Sequence, residues 1–409
     1  MPSPLTPVPL GTAAPQGSPA PSSDLTFVEF FAGVGLIHEA LAPLGWSCLL
    51  ANDNDPRKVA AYKRNYSTPI DDSDIRELPT EKIPTARLAT ASFPCIDLSQ
   101  AGGRRGINGE HSGIVWSFLD HIAQLVKEGR APQFLLLENV AGLLTLHEGT
   151  SIDLLLRQIS ELGYAIDLVQ VDARHFVPQA RNRVFILGVR DQALATSNQM
   201  PDTHIRRYKV QHIFQRNRDL PWMFFDFPEL PSRRLELGDV LVDLPEGDPH
   251  WWNEERTQYF WDHLEHDHRP KLEAMAAAGA DLQLTAVRRG RRRGIREQIF
   301  NLRFDGLASC LRTPKGGSSI QFVVRVRSGK VQIRRILGSE SARLQGVAMH
   351  GNSPNFVIPE SEQEALFAFG DAVCVPAVRW VFENSIQLLA LGLPNISASQ
   401  LTLDLASVA

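Results

Sequence analysis

The chain has 409 residues, 43% of them hydrophobic and 22% charged, with a formal net charge of −4. That length suits two or three domains with an ordinary globular core, and no run of 18 or more apolar residues offers a membrane-spanning helix. Four cysteines without a C-x-x-C pair exclude a disulfide scaffold and point to an intracellular setting.

Residues 1–23 carry no charge and are dense in Pro, Ser and Ala. They read as a disordered tail of polyproline character, without the basic leader or apolar segment of a secretory signal. From Leu25 strand and helix patterns alternate. Leu25–Phe31 is an apolar run of strand type, followed by Gly33 and Gly35 and a helical stretch to about Leu44. Ser47–Ala51 is a second strand, and Pro56 opens a helix through about Asn65. Strand patterns recur at Leu88–Ser92, Phe134–Leu137, Ile166–Val171 and Val184–Val189, with helices at Ile114–Lys127 and Ile152–Leu162. The alternation predicts an α/β fold for residues 25–190, a doubly wound and mostly parallel sheet covered on both faces. After Val189 the rhythm breaks. Residues 191–335 are richer in Pro, Trp and Arg and read as a second, irregular domain. Helical patterns resume at Glu340–Gln345, Glu362–Phe369 and Pro376–Leu391, so residues 336–395 are expected to return to the first domain, with 396–409 a tail.

The net charge hides an asymmetry. Thr285–Arg335 holds twelve Arg and two Lys against Glu297 and Asp305, a local charge of +12, which leaves −16 on the rest of the chain. Such a segment suits a polyanion, although a solvated arginine-rich face has the same composition.

Several motifs carry chemistry. Phe31-Ala-Gly-Val-Gly35 follows a strand and opens a helix, where α/β sheets bind nucleotides. A dinucleotide fingerprint wants a third glycine at position 38, and His38 stands there, so an adenosine ligand without pyrophosphate fits better. Asp53, about 20 residues on at the end of the second strand, is placed for ribose hydroxyls, and Asp74-Ile75 for an adenine amine. The glycines by themselves make no more than a tight turn. Cys95 follows Pro94 at the end of a strand and opens a loop containing Gly102, Gly103, Gly106, Gly109 and Gly113 with Arg104 and Arg105. This puts a thiol at the ligand mouth of a parallel sheet, beside a cationic loop able to close over a phosphate-bearing substrate. An inert cysteine beside a surface loop is the alternative. Among the four cysteines, Cys48, Cys310 and Cys374 show no such posting. Glu138, in Leu135-Leu-Leu-Glu-Asn-Val140, ends a central apolar strand, where burial raises a carboxyl pKa and makes it a proton donor. In Gln179-Ala-Arg-Asn-Arg183 the spacing puts Arg181 and Arg183 on one face of an extended segment.

Taken in order, Phe31-Ala-Gly-Val-Gly35, Pro94-Cys95, Glu138-Asn139-Val140, Gln179–Arg183 and Glu340-Ser-Ala-Arg-Leu-Gln-Gly346 strongly resemble the blocks of the DNA (cytosine-5)-methyltransferases. The likeness covers about residues 25–190 and 334–391, with that family's variable target-recognition region between them. It implies that Cys95 is the nucleophile adding to carbon 6 of a flipped cytosine. It implies Glu138 at N3 and the exocyclic amine, Arg183 at O2 and Arg181 beside the thiol. S-adenosylmethionine would be the cofactor and S-adenosylhomocysteine its product. Phe31, Gly33, Gly35 and Pro94 would line the cofactor, with Asp53 at the ribose, Asp74 and Ile75 at the adenine, and Asp371 and Ala372 at the methionine end. Double-stranded DNA would be the partner, met by Ser99, Arg104 and Arg105 of the catalytic loop and by Arg291, Arg292, Arg293, Lys315, Gly316 and Gly317 of the target-recognition region. A cytoplasmic, nucleoid-associated monomer is implied, companion to a restriction endonuclease or other phage-defence proteins, with no membrane and no metal.

Two positions depart from the family pattern. Asp371 replaces an amide in Gly370-Asp-Ala-Val373, which puts a contact to the cofactor carboxylate in doubt, and Leu36 replaces a common glycine. His263, His266 and His268 with Asp267 read as a polar turn rather than a metal site. The competing readings are transfer-RNA methylation, known for one relative of the family, a non-enzymatic DNA-binding module, and a nicotinamide oxidoreductase, which His38 disfavours.

Overall fold

A computed structural model describes residues 24–94, 113–194, 199–293, 295–313, 320–349 and 353–393. The expectations for the tail 1–23, for Cys95, Ser99, Arg104 and Arg105, and for Lys315, Gly316 and Gly317 lie outside these residues. Arg291, Arg292 and Arg293 are described by their backbone alone.

The larger sheet contains β1 (Thr26–Phe30), β2 (Ser47–Asn52), β3 (Ile70–Asp71), β4 (Leu88–Ala91), β5 (Phe134–Val140), β6 (Ala165–Asp172) and β7 (Asn182–Val189). Their order is β3-β2-β1-β4-β5-β7-β6, with a switch of winding direction between β1 and β4. The strands from β3 to β5 pair in parallel. Contrary to the parallel reading of the last two strands, β7 runs antiparallel to both β5 and β6. The sheet is therefore mixed, although mostly parallel. The physical reason is chain length: residues 173–181 between β6 and β7 are too few for a crossover, which needs about a dozen or more.

Side-chain alternation divides β5 between two cores. Leu136 joins Phe27, Val169 and Phe185 on one face, while Leu135 and Leu137 join Val28, Ala89 and Ile166 on the other. Helix α1 (Leu36–Leu41) covers the first face, and α3 (Ile114–Lys127) and α4 (Thr150–Glu161) cover the second. Helix α1 is shorter than its apolar pattern, because Pro43 converts the chain to a 3-10 turn over Ala42–Leu44. Helix α2 (Pro56–Asn65) starts where expected. The Asp55 side chain accepts from Arg57 N and Lys58 N, and Pro56 occupies the first turn.

Beyond β7 the chain is more regular than expected. Residues 200–227, including α5 (Tyr208–Arg216), pack on the edge of the larger sheet. Met223 N donates to Ile166 O at 3.0 Å, and buried Arg206 pairs with buried Asp167. After α6 (Leu237–Val240), α7 (Glu254–Asp262) and α8 (Arg269–Ala277) comes a four-stranded antiparallel sheet. It comprises β8 (Leu282–Arg293), β9 (Ile295–Arg303), β10 (Gln321–Arg327) and β11 (Lys330–Arg335), in the order β11-β10-β8-β9. Phe322, Val324 and Val326 face Phe260 and Leu272, whereas Val323 faces Ala308, Ile336 and Leu344. Helix α9 (Gly338–Leu344) follows, and then α10 (Glu362–Gly370), α11 (Val375–Glu383) and α12 (Ile386–Ala390). The last two replace the single helix read from Pro376 to Leu391. Val375, Val378 and Val381 of α11 join the core that α1 covers. The stretch Glu362–Glu383 has the length and hydropathy of a membrane span, yet 67% of its most apolar 18 residues is buried in the fold.

The basic segment is largely engaged. Arg303 pairs with Asp305, Arg325 and Arg327 with Asp243, Lys330 with Glu246, and Arg334 with Glu340. Arg325 and Arg334 also flank the Trp251 ring, at 4.3 and 5.3 Å from its centroid. Much of the +12 is therefore matched by Asp243, Glu246 and Glu340, which the local count omitted. Arg289, Arg312 and Arg335 stay exposed, and Arg291–Arg293 pair through their backbone with Ile295–Glu297 in the β8–β9 hairpin.

Candidate active site

One edge of the larger sheet collects the candidate residues. The parallel strands end there, carrying Phe31–Gly35 after β1, Asp53 after β2, Pro94 after β4 and Glu138 near the end of β5. Because β7 is antiparallel, its start lies at the same edge, opposite Val140. A parallel β7 would have carried Arg181 and Arg183 to the far side of the sheet. The reversal of this strand makes the site.

The turn after β1 is held tightly. Phe31, Gly33 and Gly35 take left-handed φ values of 55°, 59° and 83°. For Phe31 this is an uncommon conformation of the kind stored at functional sites. Gly33 N donates to Asp53 Oδ2 at 2.8 Å, and Asp55 N to Asp53 Oδ1 at 2.9 Å, joining the β1 and β2 ends. Burial raises the Asp53 carboxyl, with Lys58 opposing. A side chain added at Gly33 would meet nothing within 4 Å, so there is open space above the loop for a ligand. At Gly35 an added Cβ would lie 2.3 Å from the Tyr66 ring. Asp74 accepts from Arg76 N at 3.0 Å and, more weakly, from Asn54 Nδ2 at 3.4 Å. The Arg76 side chain beside it holds this carboxyl down at about 2. Ile75 is buried, and its carbonyl lies 2.8 Å from His121 Nε2.

His38 is engaged by aromatic neighbours. Its ring stacks on Tyr66 at 4.1 Å, and its Nδ1 lies 3.0 Å from Tyr62 Oη. Beneath it Glu29 is 1% exposed, and neither carboxylate oxygen has a partner of good hydrogen-bond geometry among the described residues. Burial raises Glu29 to about 8 against relief from the His38 and Ile37 amides, and burial lowers His38 to about 4. Both are therefore neutral at pH 7. The raised Glu29 contributes stability that is lost as pH rises through about 8, whereas the lowered His38 contributes stability lost as pH falls from 6.5 through about 4. Between pH 6.5 and 8 only Glu29 acts, at about 1.4 kcal/mol per pH unit. Urea unfolding should show wild type losing roughly 2 kcal/mol more than Glu29→Gln across that window. Parallel stability curves would contradict the neutral, buried Glu29.

The catalytic candidates meet at β5 and β7. Glu138 is 7% exposed and accepts from Arg183 Nε at 3.0 Å. Burial raises its carboxyl, opposed by Arg183 and Arg181. Arg181 is buried, donating through Nη1 to Leu311 O at 3.0 Å and through Nη2 to Ala372 O at 2.5 Å. Asn139 Nδ2 donates to Phe93 O at 2.9 Å, tying the ends of β4 and β5 together two residues before Cys95 in sequence. Gln179 and Gln345 complete the frame. Gln179 Oε1 accepts from Leu311 N at 3.0 Å and its Nε2 donates to Leu344 O, while Gln345 Nε2 donates to Phe369 O at 2.7 Å. At Gly370 a Cβ would lie 2.4 Å from Thr313 N, so this glycine lets the 308–313 segment pass close by.

Three participants escaped sequence reasoning. Lys58 Nζ lies 2.8 Å from Asp371 Oδ2, so the carboxylate standing in place of the family's amide has a cation partner. Asn139 was read only as part of a motif. Cys310 touches both arginines, Arg181 Nη1 at 3.4 Å and Arg183 Nη2 at 3.7 Å. No signal in its flanking residues marks it. The three histidines diverge: His263 Nδ1 lies 2.8 Å from Tyr259 O, His266 faces Asp267 in solvent, and His268 Nδ1 accepts from Leu302 N.

Comparison with known proteins decides the family. The model of the C-5 cytosine-specific DNA methylase family matches residues 25–387. The chain belongs to this family. Among its relatives, type II methyltransferase M.DsaV of Dactylococcopsis salina is 26% identical over 90% of this chain and 87% of its own length. Type II methyltransferase M.MspI of Moraxella sp. is 24% identical over 89% and 71%. Among solved structures, the S. pombe Dnmt2 methyltransferase superposes with a TM-score of 0.54 at 15% identity, covering 90% of this chain and 99% of the other. A putative DNA modification methyltransferase from an E. coli prophage gives 0.53 at 17%, also over 90% and 99%. Both share the fold of this C-5 cytosine methylase family member.

Proposed function

We propose that this C-5 cytosine methylase transfers a methyl group from S-adenosylmethionine to carbon 5 of a cytosine flipped out of a specific duplex DNA sequence. The observation that carries the reading is buried Glu138 paired with half-buried Arg183, with buried Arg181 beside them, at the same sheet edge as the Gly33–Asp53 loop.

The residues present fit the cofactor. The open space above Gly33 and the Asp53 carboxyl beside it suit a ribose, with Phe31, Gly35 and Pro94 around it and Asp74 and Ile75 toward an adenine. At the amino-acid end, Lys58 beside Asp371 can meet a carboxylate that Asp371 itself would repel. S-adenosylmethionine supplies an electrophilic methyl group there.

This chain's own groups then do the rest. Cys95 adds as thiolate to carbon 6, and Glu138, whose carboxyl burial raises, gives a proton to N3, so the ring's electron pair is directed to carbon 5. Arg183 holds the base at O2. After transfer the carbon 5 proton leaves to a base, the carbon 6–sulfur bond breaks with its electron pair going to sulfur, N3 returns its proton to Glu138, and Cys95 departs as thiolate. The target atom is unreachable in stacked DNA, so the base must be extruded. Ser99, Arg104, Arg105, Arg291–Arg293, Lys315, Gly316 and Gly317 are the proposed DNA contacts. A cytoplasmic, monomeric modification enzyme, paired with a restriction endonuclease or another defence protein, completes the proposal. Tritiated methyl transfer to duplex DNA, single-stranded DNA and transfer RNA tests it: label should enter the duplex, and label confined to RNA would overturn it.

A further inference from the structure

We propose that Lys58 and Asp371 act as one zwitterion-reading unit, Lys58 binding the α-carboxylate of the cofactor's amino-acid end and Asp371 its α-ammonium. The inference rests on the cofactor reading given above and adds to it the group that takes the ammonium and the selectivity that follows.

The pair joins distant parts of the chain. Lys58 lies in the first turn of α2 and Asp371 directly follows α10, with Lys58 Nζ 2.8 Å from Asp371 Oδ2. The Lys58 side chain is 16% exposed and that of Asp371 50%, so the cation is packed in while the carboxylate keeps an open side. Arg57, its neighbour in the chain, is committed elsewhere. It pairs with Asp55 at 2.9 Å, and its guanidinium lies 3.5 Å from the centroid of the Phe367 ring. Behind Asp371, Ala372 O accepts from Arg181 Nη2 at 2.5 Å and from Gln345 Nε2 at 3.1 Å, which fixes the backbone that carries the carboxylate.

The pair also stands where an amino-acid end has to come. Burial raises the Asp53 carboxyl with Lys58 opposing it, and the Asp371 charge is felt at both Asp53 and Glu138. Burial alone would lower Lys58, but Asp371 and Asp53 outweigh it and keep the ammonium charged. The pair is thus within electrostatic reach of the carboxyl suited to the ribose and of the carboxyl proposed for the base. A sulfonium that bears the methyl group has to lie between those two, and its aminocarboxypropyl arm branches from the same sulfur. At the end of that arm one carbon carries a carboxylate and an ammonium. Lys58 and Asp371 meet them with the opposite charges, so the four groups alternate in sign and none loses water without gaining a partner. A ligand without the carboxylate brings its ammonium against Lys58, and one without the ammonium brings its carboxylate against Asp371.

Calorimetric titration of the full chain with three ligands tests this: S-adenosylmethionine, its decarboxylated analogue and its deaminated analogue. Wild type should prefer S-adenosylmethionine over either analogue by about 10–100-fold, the worth of a charge-assisted hydrogen bond. Lys58→Met should bring the preference over the decarboxylated analogue to within about threefold and keep the preference over the deaminated one. Asp371→Asn should do the reverse. A role limited to holding the fold would weaken all three ligands in parallel, and that result overturns the proposal. So does a wild type that does not discriminate, or a substitution that leaves its own ratio unchanged. In each of these cases the cofactor reading still stands. Wild type that binds none of the three overturns the cofactor reading and the proposal with it.

Discussion

Glu138→Gln is expected to slow single-turnover methyl transfer by about 10²–10⁴-fold, the range for a lost general acid. The substitution keeps the shape and the hydrogen-bonding reach of the side chain. It removes only the exchangeable proton and the charge. Glu138 is 7% exposed at the end of β5, and its carboxyl is raised by burial although Arg183 Nε lies 3.0 Å away. Burial thus favours the protonated form of this carboxyl, the form that can pass a proton to a ring nitrogen as charge develops there. Gln cannot, so kcat should fall while S-adenosylmethionine binding, measured by calorimetry, stays within about twofold. A variant within a few-fold of wild-type rate would remove Glu138 from the reaction.

The second large effect is on stability. Glu340→Ala should cost about 3–5 kcal/mol, the loss seen when one member of a buried ion pair is removed. Glu340 and Arg334 both have side chains with 0% exposure. The carboxylate accepts from Arg334 Nη1, from Val242 N and from Leu337 N, each at 2.7 Å. One side chain thus ties β11, the start of α9 and the segment after α6 together. Removing it strands the Arg334 guanidinium and two amides in the core. Replacing both partners with methionine should be milder than either single change, because no lone charge is left behind. Chemical unfolding of the three variants checks this, and a loss under about 1 kcal/mol for Glu340→Ala would contradict the role of the pair.

Much of the site was legible because its residues sit where the chain's periodicity ends. Apolar runs closing at Phe31, Ala51, Ser92 and Leu137 mark strand ends within a few residues, and ligands gather at the carboxyl edge of parallel strands. The direction of β7 was not legible from periodicity, which is the same in either sense. The short connection 173–181 did carry that information. The two-residue strand β3 is too short to leave a pattern. Cys310 joins the arginines from 129 and 127 residues away, and no local motif foretells such a contact. The arginine-rich segment misled in the opposite way. Asp243 and Glu246, which pair with Arg325, Arg327 and Lys330, lie some 80 residues earlier in the chain. Counting charges within a window could not register them.

The central proposal is that Cys95 adds to carbon 6 of a cytosine in DNA so that carbon 5 takes the methyl group. The most direct measurement is bisulfite sequencing of DNA from a methylation-free host expressing either wild type or Cys95→Ser. The account predicts 5-methylcytosine in one sequence context with wild type and none with the variant. Methylation that persists with Cys95→Ser, or an unmethylated genome with both, would contradict it.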